Sequence, residues 1–201
     1  MPALHLRAAL AVLLLCLPSI ASSAPLPGAL LRLLPGGYKI MASARSSPTS
    51  SRSFYFVALA SRAEGKTSRG QSAPARPLVI VEQGKAGRFA LVARNDNVIL
   101  RSDEGGINGC DPFEGRGIAA KGVYVTIEQG VACGGAHWTD YATFRFDRRS
   151  GTFLFDNWRT QSWSLNPSDD PKADALVSDG QQIIRSRGRQ VPFAKWRRPD
   201  R

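Results

Sequence analysis

The chain has 201 residues, a formal net charge of +11, a pI of 10.3 and 43% hydrophobic residues. That length and apolar content suit one globular domain with a buried core, and exclude a disordered or fibrous protein. The basic balance points to an anionic partner, but no RNP, helix-turn-helix or zinc-finger spacing occurs, which argues against nucleic acid.

Residues 1–21 read as a secretory signal peptide. Arg7 supplies the positive start, and residues 8–17 form an apolar run too short to span a bilayer. Pro18 breaks the run, and Ser19-Ile20-Ala21 places small residues at −3 and −1, which predicts cleavage after Ala21 and a periplasmic or secreted protein. Cys16 follows Leu15, where a lipobox needs a small residue. No later segment is apolar enough to cross a membrane.

Residues 22–53 read as a flexible N-terminal segment. Within it, residues 29–34 (Ala-Leu-Leu-Arg-Leu-Leu) suit a short helical turn docked on the domain, stopped by Pro35-Gly36-Gly37. Residues 42–52 are Ser-rich and commit to no element. A β domain is expected over residues 54–184. Residues 54–60, aromatic and β-branched, predict a strand. Residues 61–77, rich in Ser, Ala, Gly and Arg, read as a mobile loop. Residues 78–82 (Leu-Val-Ile-Val-Glu) predict a buried strand that pairs with residues 89–93 across a turn at 83–87. Asn95-Asp96-Asn97 reads as a turn, and residues 98–101 as the next strand.

The clearest period-two patterns lie further on. Val123, Val125 and Ile127 share one face of a strand, with Tyr124, Thr126 and Glu128 opposite. Trp138, Asp140, Ala142, Phe144 and Phe146 share a face, with Thr139, Tyr141, Thr143 and Arg145 opposite. A turn at 148–151 leads to residues 152–164, where Phe153, Phe155 and Asn157 are placed on one side. Such alternation between short turns means antiparallel sheet. The fold class is therefore mainly β: an antiparallel meander or curled sheet of roughly six to eight strands, with few short helices. Residues 185–201 form a basic C-terminal tail, in which Val191-Pro192-Phe193 and Trp196 are positioned to fold back and bury their rings.

Charge is segregated. Residues 43–88 carry eight basic and two acidic side chains, residues 185–201 seven and one, and residues 89–184 nine and thirteen. The positive charge thus lies in flanking segments. It reads as solvating charge, or as a weak electrostatic contact with an anionic envelope surface.

Cys110 and Cys133 remain once the signal is removed, and two cysteines in an exported chain predict a disulfide. Bridging them closes a loop of about two dozen residues, worth roughly 3 kcal/mol. Neither has the Cys-x-x-Cys spacing of a redox thiol. His137 is the one histidine after the signal. It reads as a structural residue near the Cys133 turn, or as a contact at the rim of a site. No Gly-x-Ser-x-Gly elbow accompanies it, and the acids near the Gly-rich loops lack calcium-loop spacing. No metal and no cofactor are expected.

The stretches Ala93-Arg94-Asn95-Asp96-Asn97-Val98-Ile99-Leu100, Cys110-Asp111-Pro112-Phe113, Val131-Ala132-Cys133-Gly134 and His137-Trp138-Thr139-Asp140-Tyr141-Ala142-Thr143-Phe144-Arg145-Phe146-Asp147 resemble a family of uncharacterised exported proteins of Gram-negative bacteria, over residues 76–198. The resemblance carries no assigned activity. Related secreted proteins have an Asp-rich loop before the domain; residues 43–56 here hold no aspartate, which implies that any calcium site there is lost.

The reading that follows is an exported, soluble, monomeric β domain that acts as a non-enzymatic binding or interaction module, with an unidentified protein or envelope component as partner. Its candidate surface surrounds the Cys110–Cys133 bridge, with Asp111, Phe113, His137, Trp138, Asp140 and Tyr141. Two alternatives stay open: a periplasmic inhibitor or immunity protein against a toxic enzyme, and a hydrolase using His137 with Asp140.

Overall fold

A computed structural model describes residues 25–65, 71–106, 109–133, 136–168 and 170–199. The signal-peptide expectation for residues 1–21, with Cys16, lies outside the described residues. Among them, one short helix, α1 (Gly28–Leu31), precedes nine strands: β1 (Tyr38–Thr49), β2 (Arg52–Ser61), β3 (Arg76–Gln83), β4 (Phe89–Ile99), β5 (Ile118–Lys121), β6 (Tyr124–Cys133), β7 (Ala136–Asp147), β8 (Thr152–Leu165) and β9 (Leu176–Arg185). All pairings are antiparallel between sequence neighbours, giving one sheet in the order β1-β2-β3-β4 and a second in the order β5-β6-β7-β8-β9. The mainly β architecture with one disulfide is as expected. The strand number is higher, because β1, β5 and β9 carry Ser, Ala, Gly and Gln where a strand signal needs β-branched or aromatic residues.

The two sheets share a core. Phe54, Phe56, Leu78, Ile80 and Val98 from the first meet Val125, Ile127, Phe144, Phe146, Phe153 and Trp158 from the second. Phe54 and Phe56 both set their rings edge-on to Phe153, with centroids 5.2 and 4.9 Å apart. At its central strands the first sheet is buried on its other face too. Tyr55, Val57, Leu59, Val79 and Val81 lie there under Leu26, Leu30 and Leu34. Double burial explains why β2 and β3 read as continuous apolar runs, whereas β6 and β7 alternate.

Several expectations need correction. The segment 22–53 is not a loose leader from residue 25 on, since α1 docks Leu30 into the second cluster and β1 pairs along β2. The loop expected at 61–77 ends early: Arg76 opens β3, and the Ala73 N–H bonds Asp103 at 2.7 Å. Asn95-Asp96-Asn97 makes a bulge inside a continuous β4, not a turn between two strands. The pairings Leu78–Asn95 and Arg76–Ile99 leave two extra residues on β4, and the Asn95 side chain turns inward, where its amide donates to the carbonyls of Phe193 (2.5 Å) and Trp196 (2.9 Å). A second bulge places Asp156 between the pairs Phe144–Phe155 and Thr143–Asn157, so Trp158 rather than Asn157 follows Phe155 into the core.

The basic tail folds back as its aromatics require. The Phe155 N–H donates to the Val191 carbonyl at 2.8 Å, a 3-10 turn spans Phe193–Lys195, and the Trp196 ring lies 5.5 Å from that of Phe144 and 5.6 Å from that of Phe155. No helix among the described residues is long and apolar enough to cross a membrane.

Candidate functional site

Residues 109–117 wrap the edge of β6 that β5 leaves open. Their carbonyls at Pro112 and Gly117 accept the Gly130 N–H (2.7 Å) and the Glu128 N–H (3.0 Å), which β5 is too short to reach. The disulfide Cys110–Cys133 fastens the start of this wrap, with Cα atoms 6.7 Å apart. The wrap needs small residues where backbone meets backbone. A Cβ on Gly105 would overlap the Cys110 carbonyl, and one on Gly130 would overlap the Trp138 carbonyl.

Beneath the bridge sits an arginine that the sequence reading passed over. Arg76 is 2% exposed, and its guanidinium donates to both Asp111 carboxylate oxygens (2.6 and 2.5 Å), to Glu64 (2.7 Å) and to the Leu100 carbonyl (3.3 Å). The fork geometry of guanidinium suits this bidentate contact. Burial pushes the Asp111 carboxyl up, but the Arg76 hydrogen bond and the Phe113 N–H outweigh burial and hold it below the usual carboxylate range. Burial opposes the charge on Arg76, but its hydrogen bonds to Asp111 and Glu64 outweigh burial and raise its pKa above the ordinary value. An open cleft of about 450 Å³ lies over this cluster, bordered by Lys39, Glu114 and Arg116.

The other predicted residues do not gather there. Phe113 is a core residue, 3% exposed. Asp140 is fully buried on the inward face of β7, ion-paired to Arg198, whose second nitrogen donates to the Val98 carbonyl at 2.9 Å. Opposite Asp140, the buried Gln129 accepts the Leu100 N–H (2.6 Å) and donates to the Val98 carbonyl (2.9 Å). Trp138 shares the inward side with Asp140 and is half-buried. His137 and Tyr141 lie on the opposite face, because strand side chains alternate. That separates His137 from Asp140, three residues along one strand, and removes the geometric basis for a hydrolase built on that pair.

His137 and Tyr141 instead join an outward face of the second sheet. Register pairs His137 with Trp163 and Tyr141 with Arg159 across β7 and β8. The Arg159 guanidinium lies 4.7 Å from the Tyr141 ring centre, a cation–π contact. Tyr141, Arg159, Gln161 and Trp163 are all half-buried, so each presents part of its surface to solvent.

Arg76, Glu64, Gln129, Asn95 and Arg198 are the polar residues that the sequence reading missed. Gln129 was accessible to it, since continuing the Val125, Ile127 alternation places position 129 inside. Arg76 carries a weaker signal, a cation directly before the apolar run of β3. Among the described residues no three His, Cys, Asp or Glu side chains group as a metal site. No protein-family model, curated protein sequence or solved structure matches the chain.

Proposed function

We propose that this protein is a non-enzymatic binding module working in the periplasm or outside the cell, and that it meets its partner on the outward face of the second sheet. The observation that carries this reading is the difference between sheet faces. The two inward faces bury each other, residues 25–38 cover the outward face of the first sheet at its central strands β2 and β3, and the outward face of the second carries half-buried His137, Tyr141, Arg159 and Trp163 with no element packed over them among the described residues. Exposed aromatic and arginine side chains on a rigid sheet are the residue types that anchor contacts. The disulfide and the leader-like residues 1–21 support an exported location.

Site-specific photocrosslinking in the envelope fraction tests the reading. A crosslinker at Gln161 is expected to trap a defined species that Tyr141→Ala reduces, while one at Lys85, on the far turn of the first sheet, traps none. Equal yields from both positions would overturn the placement, and so would a Gln161 product that Tyr141→Ala leaves unchanged.

A further inference from the structure

The outward face of the second sheet has a specific chemical make-up, fixed by register. Tyr141 on β7 and Trp163 on β8 stand two rungs apart. In the rung between them, Gln161 of β8 faces Gln181 of β9. Strands lie about 4.8 Å apart and same-face side chains recur about every 6.8 Å along them. The two rings are therefore separated by about 14 Å along the sheet, with carboxamides between, each holding both donors and acceptors.

The charge on this face is also directional. Arg159 pairs in register with Tyr141, and Arg185 of β9 lies one rung further along. The strand then runs into a groove of about 580 Å³ lined by Ile183, Arg185, Arg187 and Arg189. None of Arg159, Arg185, Arg187 and Arg189 has a carboxylate within 4.0 Å among the described residues. The acids near the face are already engaged: Glu128 with Arg116 at 2.9 Å, and Asp156 with Arg145 at 3.8 Å.

We propose that this face binds a linear acidic glycan, with a sugar ring lying on Trp163, hydroxyls shared with Gln161 and Gln181, and carboxylates held by the arginines from Arg159, which Tyr141 supports from below, to the groove. The proposal deepens the binding-module reading and rests on its choice of face. Charge complementarity selects the ligand's sign, because four unpaired guanidinium groups match carboxylate forks. The Trp163 ring and the amides select a polyhydroxylated ligand with flat apolar faces over a bare anion. A protein partner fits less well. Protein interfaces centre on a contiguous apolar patch, whereas the large exposed apolar residues of this sheet are dispersed: Ile183 beside Arg159, Tyr124 opposite Arg145, and Leu165 and Val177 near the β8–β9 loop.

Calorimetric titration of the purified protein with polygalacturonate tests this, with amylose as the neutral glycan and vesicles of phosphatidylcholine and phosphatidylglycerol as the anionic surface without sugar. Polygalacturonate is expected to bind, more weakly as salt rises, and amylose and vesicles are not. Arg159→Gln and Arg185→Gln should each weaken binding about tenfold, and Trp163→Ala by a similar factor, with melting temperatures confirming folded variants. Lys85→Gln with Arg88→Gln, which removes twice that charge from the first sheet, should change affinity less than twofold. Equal binding of amylose, a preference for vesicles, equal losses in the Lys85 and Arg88 variant, or no binding of polygalacturonate would each overturn the proposal. If the glycan fails while crosslinks from Gln161 still depend on Tyr141, the glycan assignment falls and the binding face stands. If both fail, both fall.

Discussion

Replacing Arg76 by Met probes how the disulfide-tied loop is held. The side chain is 2% exposed and satisfies Asp111 twice, Glu64 once and the Leu100 carbonyl once. The methionine keeps most of the volume, so the loss is chiefly electrostatic. Two carboxylates, 26% and 10% exposed, are left without their cation. Removing one partner of a buried ion pair costs about 3–5 kcal/mol, and the partial exposure of Asp111 places this case near about 3 kcal/mol. For a domain of this size the melting temperature should fall by about 6–12 °C.

The pH dependence gives the sharper test. In the native protein the Asp111 carboxyl is held below its ordinary range. Its stabilising contribution is therefore fully present above the unfolded value of about 3.9, and is lost as pH falls through the lower folded value. Without Arg76 the burial of Asp111 is no longer offset, and the variant regains stability when that carboxyl takes up a proton. Urea unfolding of both proteins should show a gap of about 3 kcal/mol at pH 7 that narrows by pH 4. The variant Arg76→Met/Asp111→Asn/Glu64→Gln should recover much of the loss at pH 7, since no buried charge remains. A gap below about 1 kcal/mol at pH 7, or one that stays constant to pH 4, would refute the view that charge compensation holds this corner.

Three further outcomes follow from the fold. Cys110→Ser/Cys133→Ser removes a bridge spanning 23 residues and should cost about 3 kcal/mol in chemical denaturation, with limited proteolysis in the loop at 100–117 appearing before cuts in the sheets. Gly105→Ala should destabilise the protein more than an Ala change at half-buried Gly117, because the Cys110 carbonyl blocks its Cβ while nothing lies within 4 Å of a Cβ at Gly117; equal melting temperatures would contradict this. Trp196→Ala, which empties a site 4% exposed between Phe144 and Phe155, should cost about 3–5 kcal/mol, read by the same denaturation.

The residues that were legible in advance are those whose local pattern agrees with their tertiary role. Alternation in β6 and β7 placed Val125, Ile127, Ala142, Phe144 and Phe146 on the inward faces where they are buried. The tail was legible because Phe193 and Trp196 have no other way to leave water. Two bulges defeated the pattern. At Asp156 an extra residue shifts the face by one, so Trp158 rather than Asn157 turns inward. At Asp96 and Asn97, residues that favour turns in isolation sit in a strand, because Asn95 gains two carbonyl acceptors from the tail a hundred residues away. The candidate site was legible in composition and not in arrangement. Period two separates His137 and Tyr141 from Trp138 and Asp140, and the sequence shows no partner for Asp140, since Arg198 lies 58 residues away in a segment that reads as solvated charge.

The chain's basic excess resolves into two populations with opposite roles. Arg52, Arg76 and Arg198 are clamps. Arg52 forks onto Glu82, donates to the Gly151 carbonyl and stacks over Phe54 and Phe146, which ties the first sheet to the β7–β8 turn. Arg76 ties β3 to the wrap around β6, and Arg198 ties the tail to β7 and to the Val98 carbonyl. Each clamp joins segments distant in sequence and engages its guanidinium with partners inside the chain. Arg159, Arg185, Arg187 and Arg189 lie beyond the core and have no carboxylate within reach among the described residues. Their face is stiff because its reverse side is the aromatic core, and a stiff surface loses little conformational entropy when a ligand settles on it. In the first sheet the central strands β2 and β3 are buried on both sides, and only the flanking β1 and β4 expose surface. The proposed binding role rests on this asymmetry between the central strands of the two sheets.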